Sequence, residues 1–432
     1  MQYLLAIFYV FFFLFLIYKL NFFKKTKIPF IILTTIFVFK LLSGVILSLI
    51  YKYYYDSPET SDVYKYYLDG KVIFAVLKEN PIDYLKLITG IGADADYLHK
   101  YLINTEFWFK SFNYNLLNDN RFVIRIHAII SLISFGSFWV HSVIFSFFSF
   151  AGLTAIYRVF SNFIKDKYLL ILAVFFVPSV MFWSSAALKE SLIMAMLGML
   201  IFNFFNIIEK KNLTKSILFF LISIFLMLLL KFYVLFALIP SLIFYGIYKI
   251  FKPKYITLVF SGIYLIIILL FFNSEQFSSY NLAEIISTKQ HDFNSMLDAT
   301  KNVGSRVVLP ILDADFLSIL KAVPNALINS FFRPFFGDIT SIIVIPALIE
   351  NILIIISMLF SIMFFNIKKV KKNLAVIFFM LSFVITLFVL IGLTTPVLGA
   401  LVRYKVPALP FLFILFLFFI DFEKIRNKLF RL

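Results

Sequence analysis

Carboxylates set among tyrosines at the edge of a long apolar run are the side chains of this sequence best suited to chemistry. Residues 51–70, YKYYYDSPETSDVYKYYLDG, place Asp56, Glu59 and Asp62 among seven tyrosines, directly after an apolar run ending at Ile50. A carboxylate beside a hydroxyl acceptor can take its proton as a general base, so Asp62 and Asp56 are the candidate bases. The same residue types cap helices, and Ser61 or Asp62 serves equally as the cap of a helix starting at Val63.

Cations form the second set. In PSVMFWSSAALKESL, Pro178 breaks one helix, and Lys189 and Glu190 stand near the start of the next. A lysine there can bind a phosphate with help from the free N–H groups of the helix start, or can snorkel to a membrane interface. Arg333 in RPFFGD is a phosphate-clamp candidate, because a guanidinium pairs with phosphate oxygens two at a time; an interfacial anchor is its other reading. TTPVLGALVRYKVPALPF brackets Arg403 and Lys405 with prolines, and these two cations suit an anionic group or an interface. Asp94 and Asp96 in GADADY offer oxygen ligands, too few to select a cation. No metal site is assigned; a divalent cation is compatible with these residues without being required. The four histidines, His99, His127, His141 and His291, show no metal-ligand spacing, and there is no Walker loop, GxSxG or HExxH.

The elements that carry these residues are membrane helices. The 432 residues are 62% hydrophobic and 15% charged, with mean hydropathy +0.97. Soluble domains are nearer a quarter charged, and runs of about 20 apolar residues span a bilayer as helix. Alternating strands are absent, so the fold expected is an all-α polytopic membrane bundle, one integral-membrane domain over 1–432. The spacing predicts about 11 transmembrane helices, over 3–20, 29–50, 138–158, 168–183, 191–208, 213–230, 232–250, 255–272, 341–365, 374–393 and 408–420. Residues 121–136 read as a juxtamembrane or re-entrant helix. Two large loops, 51–120 and 273–340, are expected outside, bearing interfacial helices such as 64–78 and 81–91. Lys40 and Glu350 fall inside spans, where an ionisable group is a functional candidate by default.

The net charge of +17 invites a nucleic-acid reading, but its placement opposes it. Short segments between helices hold 21 of the 40 Lys and Arg, whereas the two large loops hold 10 and 7 of the 23 acidic residues. Basic short loops facing the cytoplasm account for that split, with the N-terminus outside, the C-terminus cytoplasmic, and the bilayer, not nucleic acid, as partner. With no cysteine there is no disulfide framework or thiolate nucleophile.

A many-span chain whose first large loop opens with Asp62 followed by Tyr64, Tyr66 and Tyr67 resembles the GT-C superfamily of integral-membrane glycosyltransferases. FWSSAALKES and GALVRYKVPALP are similar to elements of multi-span proteins from bacterial polysaccharide and cell-envelope loci. The resemblance implies a polyprenyl-phosphate-linked sugar donor, a glycan, lipid or protein acceptor, and transfer on the outer side of the bacterial cytoplasmic membrane. The loop Asp would be the base. Lys189, Arg333, Arg403 and Lys405 would neutralise the departing lipid phosphate, and a single displacement would invert the anomeric carbon. The chain departs from the family at Val63, where many members carry the second residue of an Asp-Glu pair, and by an added first helix. Asp56 therefore stays open as the base. Two other functions fit: an O-antigen or exopolysaccharide polymerase, and a lipid-linked sugar flippase or transporter whose path Lys40 and Glu350 would line.

Overall fold

The computed structural model describes residues 2–54, 61–109, 119–299, 305–338 and 344–429; Asp56 lies outside them. Their regular structure is α-helical, with short 3-10 turns and two isolated bridges. The helices that matter below are, in order, α1 (Gln2–Lys19), α2 (Phe30–Tyr53), α3 (Lys65–Glu79), α4 (Pro81–Thr89), α5 (Asp119–Ser134), α6 (Phe138–Phe160), α7 (Lys167–Phe175), α8 (Pro178–Trp183), α9 (Lys189–Ile208), α10 (Leu213–Phe251), α11 (Ile256–Phe272), α12 (Leu282–Ala299), α13 (Phe316–Phe332), α14 (Ile345–Met363), α15 (Leu374–Thr394), α16 (Leu398–Tyr404) and α17 (Leu409–Phe419).

Seven of these are long and apolar enough to cross a membrane: α1, α2, α6, α9, α10, α14 and α15. An eighth arises if α16 and α17, bent by 63°, count as one broken span. Among the described residues the expected number of about 11 is therefore corrected to 7, or 8 with that bent pair as one span. The physical reasons are local. The run over 168–183 is cut at Phe176 and Val177, because the residue before Pro178 is pushed out of helical geometry, leaving the short α7 and α8. The runs over 213–230 and 232–250 meet at a kink at Lys231 (φ −157°, ψ 87°), the residue expected as their turn, and are counted together as the single 39-residue element α10. At 17 residues, α11 is too short to qualify.

Local sequence explains several ends. Asn80 caps α4 by accepting from the N–H groups of Ile82 (3.0 Å) and Asp83 (3.3 Å), Pro81 occupies its first turn, and Gly90 closes it at φ 85°. Asp166 caps α7 and Asp315 caps α13 in the same way.

The chain packs as two compact units. The first comprises Met1–Val159, Met181–Asn203 and Thr214–Phe232. Here α3 lies along α5, tied by Tyr67, which donates to the Gly136 carbonyl (2.6 Å), and by Tyr84 of α4, which donates to the Ala128 carbonyl (3.2 Å). The core helix is α6, most of it buried, whereas α1 and α2 turn rows of large apolar side chains outward. Such exposure is what a lipid-facing helix requires. Glycines let α6 and α9 meet backbone to backbone: a Cβ on Gly198 would fall well inside van der Waals contact of the Gly152 carbonyl, and one on Gly152 would strike the Met194 carbonyl. Small residues at a helix crossing gain dispersion contact where lipid offers no hydrophobic drive. Gly198→Leu is expected to cost about 1–3 kcal/mol by overpacking, read as a lower unfolding midpoint in detergent. An unchanged midpoint would show that the helices separate freely.

The second unit comprises Phe160–Val180, Phe204–Leu213 and Tyr233–Leu432. Its core is α15, flanked by α13 and α17. Gly392 brings α15 against the Ala326 backbone, Ser330 donates to the Phe388 carbonyl (2.7 Å), and Phe383 meets Phe411 edge-on at 5.2 Å. Gln290 of α12 donates to the carbonyls of Pro310 (3.0 Å) and Leu393 (2.7 Å) and accepts from the Leu312 N–H (3.0 Å), pinning the 310–313 segment to the end of α15.

Candidate functional site

In the first unit, polar side chains gather around Lys189. A cation in the first turn of a helix opposes the macrodipole, so it persists only with strong compensation. Lys189 has it: its Nζ is 2.8 Å from Asp119 Oδ2, donates to Asn120 Oδ1 at 2.8 Å, and lies 4.6 Å from the centre of the Tyr66 ring. Tyr66 donates to the same Asn120 oxygen at 3.0 Å. Asp62 and Lys231 both lie within electrostatic reach of this ammonium. Asp62 is paired with Lys65, three residues on, and the Lys65 ammonium sits over the rings of Tyr66 (4.9 Å) and Phe107 (4.6 Å). Exposure separates the roles. The Asp62 and Asp119 side chains are 27% and 23% exposed, those of Lys65 and Lys189 13% and 5%. The carboxylates form a rim that a solute can reach, and the ammonium groups lie behind it.

Buried partners fix the loop that delivers Lys189. Lys40, 1% exposed, donates to Ser184 Oγ (2.8 Å) and Ser185 Oγ (3.1 Å). Ser146 donates to the Ser185 carbonyl, Ser191 to that of Ala186, and Gly44 lets α2 approach the Ser185 backbone. Lys40 thus spends its charge positioning the turn before α9.

Asp69 does the same for Phe107. Its two oxygens accept the N–H groups of Glu106 (3.1 Å) and Phe107 (2.9 Å). Burial raises its pKa above the ordinary 3.8, against those two hydrogen bonds, which favour the carboxylate. The folded group therefore keeps its proton to higher pH than the unfolded chain. Its contribution to stability is full below the ordinary value and is lost as pH rises through the folded one. The difference in unfolding midpoint between wild type and Asp69→Asn is expected to shrink as pH rises upward from about 4 and then level off. A difference that grows with pH would overturn this.

In the second unit, Lys405 and Glu350 are both fully buried, 3.8 Å apart. Lys405 donates to Asn351 Oδ1 (3.0 Å) and the Arg333 carbonyl (3.2 Å), and Glu350 Oε2 accepts the Ser179 N–H (2.9 Å). Asn351 in turn donates to the carbonyls of Phe332 and Pro334. The Arg333 guanidinium is 23% exposed; its Nε donates to Asn329 (3.0 Å), its Nη1 to Asp338 (2.9 Å), and it packs over Phe335 at 5.1 Å. Arg403, at the last turn of α16, is half-buried.

The sequence candidates thus fall into two groups. Asp62 and Lys189 are brought within each other's field in the first unit, and Lys405 holds the Arg333 backbone in the second. Lys40 and Glu350 each have partners of their own. Asp119 and Asn120 were not singled out by sequence, and Tyr66 entered only as one of the tyrosines following Asp62. An Asp-Asn pair directly ahead of the apolar periodicity of α5 is a helix-start signal that points at 119–120. His127 and His141, scattered in sequence, meet Nδ1 to Nδ1 at 2.8 Å with stacked rings, and Ser134 Oγ lies 2.7 Å from His141 Nε2. Burial, and then the neighbouring ring, push His127 well below the ordinary imidazole range. Asp94, half of the weak cation-site candidate, pairs with Arg121 at 2.6 Å. Among the described residues no group of three or more His, Asp or Glu is placed to hold a metal ion. No family model, curated protein or solved structure matches the chain, which stands as a polytopic, all-α membrane protein on the strength of its own helices.

Proposed function

We propose that the protein is a membrane glycosyltransferase that moves a sugar from a polyprenyl-phosphate-linked donor to a hydroxyl acceptor on the outer side of a bacterial cytoplasmic membrane. The observation that carries this reading is the rim of two reachable carboxylates, Asp62 and Asp119, backed by the buried Lys189, the half-buried Lys65 and Tyr66. Asp62 takes the proton of the acceptor hydroxyl. The acceptor oxygen bonds to the anomeric carbon as the bond from that carbon to the lipid phosphate oxygen breaks, and the phosphate leaves with the electron pair. Lys189 is a positioning residue: it holds Asp119 and, through Asn120, the Tyr66 hydroxyl. Asp56 remains the alternative base. Arg333 and Arg403 are proposed as anion-binding cations of the second unit, with Lys405 supporting the Arg333 backbone.

Support also comes from what Lys40 and Glu350 do. A transporter reading needs them along a path, and each instead contacts neighbouring groups within its own unit: Lys40 the Ser184 and Ser185 hydroxyls, Glu350 the Ser179 N–H and the Lys405 ammonium. The test uses the full chain in proteoliposomes with a labelled polyprenyl-phosphate sugar and a mixture of envelope acceptors. Label is expected to pass to the acceptor with wild type and not with Asp62→Asn. Movement of intact lipid-linked sugar across the bilayer, unaffected by Asp62→Asn, would replace this reading with transport.

A further inference from the structure

The turn joining α1 to α2 is built to push lysines outward. Phe23, Thr26 and Ile28 are buried, while Lys24, Lys25 and Lys27 between them are exposed. Phe23 stacks on Phe150 at 5.6 Å, and the Thr26 hydroxyl donates to the Phe23 carbonyl (2.7 Å) and accepts the Ile28 N–H (3.1 Å). Lys27 holds the left-handed conformation, φ 58°, that reverses the chain. No carboxylate among the described residues pairs with Lys24, Lys25 or Lys27. Arg158 adds a further positive charge at the same turn, its guanidinium 4.9 Å from the Phe22 ring.

An apolar groove begins where the lysines end. Phe30, Ile31, Val38, Phe39 and Leu42 of α2, with Leu14 of α1, line a groove of about 450 Å³. Thr34 and Thr35 are the two polar residues in its wall; the Thr34 hydroxyl donates to the Ile31 carbonyl (2.9 Å), and the rest of the lining is apolar. From Phe30 to Leu42 the helix rises about 18 Å at 1.5 Å per residue. One leaflet of hydrocarbon is about 15 Å, half of the roughly 30 Å core. The groove therefore runs the depth of one leaflet, from the level of the lysines to the bilayer middle.

We infer that the α1–α2 hairpin is a binding site for an anionic diacyl phospholipid, its phosphate against Lys24, Lys25 and Lys27 and one acyl chain in the groove. The charge decides the headgroup class: a zwitterionic lipid would bring its own cation against three uncompensated ammonium groups, whereas an anionic one brings none. The site is independent of the transfer reaction, and its test does not use activity.

The purified, delipidated full chain is titrated in detergent with phosphatidylglycerol, with phosphatidylcholine of the same acyl chains, and with inorganic phosphate, and bound lipid is counted by native mass spectrometry. Phosphatidylglycerol is expected to bind about tenfold more tightly than phosphatidylcholine, and K24Q/K25Q/K27Q is expected to abolish that preference. Val38→Trp fills the groove from its lipid-facing side, leaves the lysines in place, and is expected to weaken phosphatidylglycerol binding as well. Equal binding of the two lipids, wild-type binding by both variants, or displacement of the lipid by inorganic phosphate alone would each overturn the inference.

Discussion

Asp62→Asn is expected to insert and fold like wild type while sugar transfer falls by about 10²–10⁴-fold, the range a positioned general base contributes. The substitution keeps size and removes only the proton acceptor. Its partner Lys65 stays seated over the Tyr66 and Phe107 rings, so no ammonium is stranded in an apolar void. The loss should fall on kcat, with KM for the lipid donor little changed, because the group acts in the transition state and not on the lipid. Asp119→Asn is a contrasting case. It strips the counter-charge from Lys189, which is 4% exposed, so the unfolding midpoint should drop together with transfer. Transfer at wild-type rates by both Asp62→Asn and Asp56→Asn would end the base assignment.

Lys405→Met should be the most damaging single substitution for stability, at about 3–5 kcal/mol, because it leaves Glu350 buried without its counter-charge. The double variant E350Q/K405M removes both charges and should recover most of the loss. Recovery stays incomplete, since Asn351 and the Arg333 carbonyl still lack the donor that Lys405 supplied. Unfolding in detergent, followed for wild type, both singles and the double, closes the cycle. If the loss in the double equals the sum of the losses in the two singles, the pair carries no coupling, and the hydrogen bonds alone explain the lysine.

The helical, membrane-spanning class was legible because length and apolarity report on individual segments. The runs over 3–20 and 374–393 form helices within a residue or two, as Gln2–Lys19 and Leu374–Thr394. Counting spans was harder, because it depends on what happens at one or two residues. Lys231 looks like a polar turn between two apolar runs, and the two helical stretches do meet there at a kink, but one extended residue is too slight a break to separate them as elements. Pro178 breaks its helix as its type suggests, but the break leaves two pieces, each too short to count as a span. At the candidate site, residue type drew attention to Asp62 and Lys189. Asp119 and Asn120 escaped notice because their meaning lies in a distance to Lys189, across 69 or 70 positions of chain, and one sequence carries no distances. Lys405 shows the converse. Its flanking prolines and atypical charge marked it correctly as unusual, but not that its charge is spent inside the fold.

The contact between Gly152 and Gly198 leaves α6 and α9 no side-chain cushion on which to slide. Main chain resting on main chain is stiff, so the middle of Lys189's own helix behaves as a fixed post. On the proposed transfer reaction, a rearrangement admitting a bulky donor would fall to the segments in front of that post, above all the 61–64 turn bearing Asp62. Slow exchange dynamics in solution should concentrate there, with the glycine crossing among the last places in the first unit to exchange its amide protons.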